Sequence, residues 1–251
     1  MESQQRKSES RETIERQPLF DREFFDIQMH FAEVLSNLRH EPLASGLESY
    51  TALPNFFEYA APFSWDQVLK GLSNSSNAAD YLYRSYLSLD HSNPPHEVRF
   101  GCFEYGQPHD GEIQIHFNNR DHRHGGPLGR SKVPERIREL KEMFTYIKAL
   151  NFEAKEVRGR SWLYNVDAYK RLFPPSYFES ARPDDDEYML RTIAVWGQFI
   201  DNDNHTKKDV RDEFLARLKH INEDNVMSMF PLPLLTTHAP LEDFYTFYGI
   251  E

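Results

Sequence analysis

The spacing of apolar residues changes once along the chain, near residue 97, and that change limits the folds open to it. Upstream, Phe24, Ile27, Phe31, Val34, Leu35 and Leu38 recur at helical spacing until Pro42 ends the run. Trp65, Val68, Leu69 and Leu72 share one face of a second helix, and the Ser/Asn-rich break from Ser73 to Asn77 caps a third that reaches Leu89. Downstream, Val98–Tyr105 and Glu112–Phe117 read as strands around the turn GQPHDG, a hairpin signal. Pro134 opens a helix that runs to Leu150 with Ile137, Leu140, Phe144 and Ile147 on one face. A strand over Phe152–Leu163, a short helix over Asn165–Phe173, a long strand over Tyr188–Ile200 and a helix over 206–221 follow. Strands that alternate with helices predict a mixed α/β fold, a central mixed or mostly antiparallel sheet flanked by helices.

The expected organisation is a polar leader over 1–18, a helical part over 19–96 and an α/β part over 97–251, the last two joined through HSNPP (His91–Pro95) into one compact domain. Aromatic residues make up 14% of the chain, with 19 Phe and 13 Tyr, enough to build a large buried core. The closing stretch from Met227 (FPLPLL, DFYTFYGI) is too apolar for a solvated tail and should pack back on the domain. A formal charge of −11 argues against a duplex-binding surface, which needs clustered cations. The single cysteine, Cys102, excludes an intrachain disulfide. With no apolar signal segment at the start and no span long enough for a bilayer, the expectation is a cytoplasmic protein without membrane partners.

Three places carry residues suited to chemistry. The loop RDHRHGGPLGRSK, Arg120–Lys132, joins a strand to a helix N-terminus, where unpaired amides bind phosphate and Arg123, Arg130 and Lys132 add charge. It is not a Walker A loop, and an exposed polar loop whose glycines only make turns has the same composition. In the hairpin, Glu104 and His116 meet across the strands if the register allows, a carboxylate–imidazole pair suited to a base. Third, the segment VRGRSWLYNVDAYKRLFPPSY, Val157–Tyr177, runs a strand end straight into a helix. There Tyr164 and Tyr169 can donate a proton and Asn165 can orient an amide; an aromatic corner filled by Trp162 and both tyrosines is the structural alternative. His109, His116, His122 and His124 fit no metal-site spacing, and DNDNHTKKDVRD from Asp201 lacks the glycine and final glutamate of a calcium loop. No GxSxG occurs, and Cys102 in FGCFEY reads as a small buried thiol.

GxSWLYN (Gly159–Asn165), AYxRLFPPxY (Ala168–Tyr177), WGQF (Trp196–Phe199) and the closing FPLPxL…FYxFYG (Phe230–Gly249) resemble an uncharacterised group of bacterial proteins. The wider order is similar to the C-terminal half of GNAT-like acyltransferase domains. In these a strand leads into a phosphate-cradling loop, Q/R-x-x-G-x-G/A, and N-x-x-A follows on a later helix. Arg123-His124-Gly125-Gly126 reproduces the first half of that loop, and Leu128 departs from it; Asn165-Val166-Asp167-Ala168 matches the second motif. Leu172 stands where the family often places a tyrosine. The resemblance implies an N-acyltransferase that takes acetyl-CoA or another acyl-CoA and an amine. Arg123, Gly125, Gly126, Gly129, Arg130, Ser131 and Asn165 would hold the cofactor. Tyr164 or Tyr169 would act as general acid, and His116 or Glu104 as base. The alternative is a non-catalytic relative that binds a small molecule or a protein.

Overall fold

The computed structural model describes residues 19–58, 64–91, 98–106, 109–121 and 126–251. The leader over 1–18, most of the HSNPP link, and His122, Arg123, His124 and Gly125 lie outside them. The N-terminal helices are α1 (Arg22–Arg39), α2 (Leu43–Tyr50), α3 (Asn55–Glu58), α4 (Trp65–Ser73) and α5 (Ala78–Leu87). Their boundaries follow from caps. The Asp21 carboxylate accepts the Phe24 amide at 2.9 Å, Ser64 and Gln67 form a reciprocal capping box on α4, and Asn77 caps α5.

Strands β1 (Arg99–Phe100), β2 (Phe103–Tyr105) and β3 (Glu112–Phe117) form an antiparallel meander. Its two turns are set by glycine. Gly101 takes φ +60° between the paired Phe100 and Phe103, and Asp110-Gly111 takes φ +52° and +79° at the tip of the β2–β3 hairpin. The strand expected over 98–105 is therefore a two-strand hairpin folded at Gly101. After β3 the chain crosses through α6 (Val133–Ala149) into β4 (Glu156–Ser161), then α7 (Asp167–Lys170), α8 (Pro175–Glu179), β5 (Arg182–Pro183), α9 (Ile193–Trp196), α10 (Lys208–Leu218), β6 (Leu235–Pro240) and α11 (Leu241–Tyr248). The six strands lie in the order β1-β2-β3-β4-β6-β5, every neighbouring pair antiparallel except β3–β4.

One correction is plain. Tyr188–Ile200 is not a strand but a run of helical turns: a 3-10 turn at Glu187–Arg191, α9, and a second 3-10 turn at Gly197–Phe199. Asp186 starts it by accepting the Tyr188 amide at 3.0 Å, and the turns put Leu190, Val195, Trp196 and Phe199 into the core together. The closing stretch does pack back, as β6 and α11, an element pair the aromatic composition concealed.

One face of the sheet is buried under α6, α7, α8 and α11 through Phe103, Ile113, Val157, Phe144, Tyr164, Tyr169, Tyr177 and Phe244. A second cluster seats α1 against residues 189–234, with Phe31, Trp196, Phe214 and Phe230 in mutual ring contact, and a third lies among the N-terminal helices. Gly159 in β4 is where the first cluster is tightest. A methyl group there would overlap the hydroxyl oxygens of Tyr164 and Tyr177, which lie against the strand. Gly159→Ala should therefore lower the unfolding free energy by about 1–3 kcal/mol, the usual cost of overpacking, although alanine favours strands more than glycine does. Urea denaturation measures this; Gly159→Ala with Tyr164→Phe should recover part of the loss, and an unchanged midpoint for the single variant would contradict the packing.

Candidate functional site

The one parallel pair makes the site. β3 and β4 are in register only over Glu112–Gln114 and Glu156–Arg158. Ile115–Phe117 continue to pair with β2, and Gly159–Ser161 with β6, so the two strands part toward their C-terminal ends. Ligands of open α/β sheets bind beyond such ends. The wedge is bounded on one side by Asn118–Asp121 and on the other by Ser161 and Trp162.

Segment 197–207 closes over its mouth. The Asn119 amide donates to the Asn202 carbonyl at 2.9 Å, and Gly126 (φ +70°) lies so close to the Asn202 side chain that a methyl group would overlap it. Gly197 packs on the Trp162 indole, and the Lys207 ammonium stands 5.4 Å from the centre of that ring. Asn119 Oδ1 is buried there with no hydrogen-bond partner among the described residues.

The sequence-level candidates divide sharply in this geometry. Tyr164 and Tyr169 are 1% and 2% exposed. Tyr164 Oη lies 2.9 Å from Tyr177 Oη, and burial pushes all three phenols above their usual range. They fill the aromatic corner, so in this conformation neither hydroxyl has a path to a substrate. Asn165 donates to the carbonyls of Trp162 and Pro233, both at 2.8 Å, and so ties the corner to the C-terminal stretch; its amide has no hydrogen left for a cofactor. Ser161 accepts the Leu163 amide at 3.1 Å and turns the chain out of β4.

Glu104 and His116 are direct cross-strand partners, as the base reading required. No hydrogen bond joins them among the described residues. Glu104 is buried and held instead by Arg99 at 3.3 Å, by Arg120, and by the Asn118 amide at 3.1 Å. His116 is solvent-exposed at its surface, yet crowding by protein atoms lowers its pKa against the smaller opposite pull of Glu104; its exposure limits how far that shift goes. A neutral imidazole on an open sheet face is thus the candidate that stays free to take a proton.

In the cradle loop, Arg123 and Gly125 lie outside the described residues. Gly126 and Gly129 make a turn, with the Gly129 amide donating to the Gly126 carbonyl at 3.3 Å, and Arg130 and Ser131 are exposed at the start of a 3-10 turn that leads into α6. The Lys132 side chain does not cap α6, whose first turn holds Pro134. Lys132 is committed to Asp121 at 2.9 Å. Sequence reasoning missed that carboxylate. Only an unexplained acid among the loop's basic residues hinted at it.

Among the described residues, no group of three or more His, Cys, Asp or Glu is arranged to hold a metal ion, and no helix is long and apolar enough to cross a membrane. A separate groove of about 720 Å³ lies between α1 and α10, floored by Ile27, Val34, Leu215 and Leu218, and no residue of the wedge lines it. No family model, curated protein or solved structure matches the chain.

The packing assignment of the tyrosines has a direct check. Tyr169→Phe keeps the ring and should leave the melting temperature nearly unchanged, whereas Tyr169→Ala should cost about 3–5 kcal/mol. Calorimetry on both variants decides it; a Phe variant as unstable as the Ala variant would mean that the hydroxyl, not the ring, holds the corner.

Proposed function

We propose that this chain is a GNAT-like domain that binds an acyl-CoA in the wedge between β3 and β4 and delivers the acyl group to an amine chiefly by positioning. The observation that carries the reading is the early end of β3–β4 pairing. Where two strands part, backbone groups on their facing edges are free to pair with an extended ligand, as a strand edge pairs with a peptide. The amide-bearing arm of CoA is such a ligand. The turn Gly126–Ser131 adjoins the end of β3, where a pyrophosphate would meet the backbone amides of Arg130 and Ser131 and the Arg130 side chain; the Lys132 and Val133 amides are already bonded within the turn.

Aminolysis of a thioester needs little beyond a deprotonated amine held against the carbonyl carbon. His116 is the residue suited to take the proton. Tyr164 and Tyr169 are assigned no chemical step, and the thiolate leaves protonated by solvent. A specific observation favours a second reading, a non-catalytic relative that binds a ligand: Trp162, Asn165 and the C-terminal stretch close the corner at the end of β4.

Thermal shift with acetyl-CoA, followed by an acetyl-transfer assay on a panel of amines, separates the two. Binding at a hundredfold excess over Kd stabilises the folded state by about 2.7 kcal/mol, a readily measured shift. The acyltransferase reading expects both the shift and transfer, with transfer lost in His116→Gln while the shift persists. A shift without transfer to any amine supports the binder, and no shift with any acyl-CoA overturns the proposal.

A further inference from the structure

Lys207 differs from every other described lysine. Lys70, Lys141, Lys148, Lys155, Lys208 and Lys219 are exposed, and three are partly buried: Lys132, Lys170 and Lys207. Lys132 is paired with Asp121 at 2.9 Å and Lys170 with Asp167 at 3.4 Å. The Lys207 ammonium makes neither a hydrogen bond nor an ion pair among the described residues; its contact is the face of Trp162. An ammonium is strongly hydrated, and its partial burial without a counter-ion favours the neutral amine, against the attraction of the Trp162 face for the cation.

The position is held from several sides. Thr206, the preceding residue, donates to the Asp21 carboxylate from its amide and its hydroxyl, both at 2.6 Å. The Lys207 amide donates to the Phe199 carbonyl at 2.7 Å, and the residue opens α10. The charged groups that face it are Asp201 and Asp209, neither within ion-pair reach. Asp201 is engaged by the amides of Asp203 and His205 at 2.8 and 2.9 Å. Burial lowers the Lys207 pKa against both carboxylates. The amine is therefore fixed at the mouth of the wedge, partly open to solvent, against an apolar ring.

We propose that Lys207 is a nucleophilic amine and a site of N-acylation by activated acyl donors of the thioester class. The neutral Nζ attacks the thioester carbonyl, a C–N bond forms and the C–S bond breaks. The departing sulfur leaves as a thiol once it gains the proton that the nitrogen loses, and the product is an amide with no charge over Trp162. Desolvated lysines are activated in this way, since neutral amine is available below the usual lysine range. The inference does not depend on CoA recognition.

The test uses S-acetyl-N-acetylcysteamine, a thioester without a nucleotide, on the full chain at a pH below the ordinary lysine range. Fragment-ion mass spectrometry then reads early acetyl occupancy at Lys207 and at its exposed neighbour Lys208. Lys207 is expected to acetylate several times faster in the folded protein and no faster than Lys208 in urea. Lys207→Arg should keep the melting temperature and lose the label. Equal rates in the folded protein, or a slower rate at Lys207, would overturn the proposal. Because the reagent lacks the nucleotide, failure of acetyl-CoA binding leaves this result unaffected.

Discussion

Arg136 places a guanidinium almost wholly inside the protein, its side chain 2% exposed, and the arrangement at the open end of the sheet follows from the need to neutralise it. An unpaired charge at such a site costs several kcal/mol. Its partners come from three stretches of chain: Glu139 on α6 itself at 2.9 Å, Asp121 beyond the end of β3 at 3.3 Å, and the Cys102 sulfur at the β1–β2 turn. Glu139 in turn accepts the Cys102 amide at 3.1 Å, and Gly101 lies against its carboxylate where a methyl group would overlap it. The helix that crosses from β3 to β4 is thereby pinned to the meander and to the end of β3 at once. Lys132 completes the set through Asp121 and cannot also serve a ligand without breaking it. Among the described cations of the loop, Arg120 is held by Glu104 and Arg130 is exposed.

A second constraint acts from the other side of the wedge. Tyr164, Tyr169 and Tyr177 press their rings together under β4 and bring two hydroxyls against the backbone at Gly159. This packing fixes the direction in which β4 leaves β3, and Trp162, one turn beyond, ends up at the mouth beneath Lys207. The residues that looked most like acid catalysts are thus the scaffold of the site. Among the described residues, those left accessible around the wedge include His116, Arg130, Ser131 and, in part, Lys207.

The sequence reveals this division unevenly. Helical periodicity located α1, α4, α5, α6 and α10, and the Asp110-Gly111 turn announced the hairpin that sets Glu104 opposite His116. Three features escaped it. The Tyr188–Ile200 run is aromatic and β-branched enough to pass for a strand, and only the cap at Asp186 and the burial of successive helical turns decide otherwise. β6 carries Thr, His and Pro in LTTHAP, and its alternation is hard to read because the fully buried positions are Thr237 and Ala239 rather than large apolar residues. Lys207 is one of two adjacent lysines in a charged turn; its setting depends on Trp162, 45 positions away, which no local pattern reports. Burial of the tyrosines has the same origin, since a Tyr at a strand–helix corner reads alike whether its hydroxyl faces a cleft or a core.

We propose the gap between β3 and β4 as a ligand site for a thioester of CoA. Amide hydrogen exchange in the presence and absence of saturating acetyl-CoA tests this at the gap itself. Slower exchange is expected at the amides of Phe117 and Arg160, which face the gap, while those of Gly159 and Ser161 point to β6. Exchange unchanged at Phe117 and Arg160, with protection elsewhere or nowhere, would contradict it.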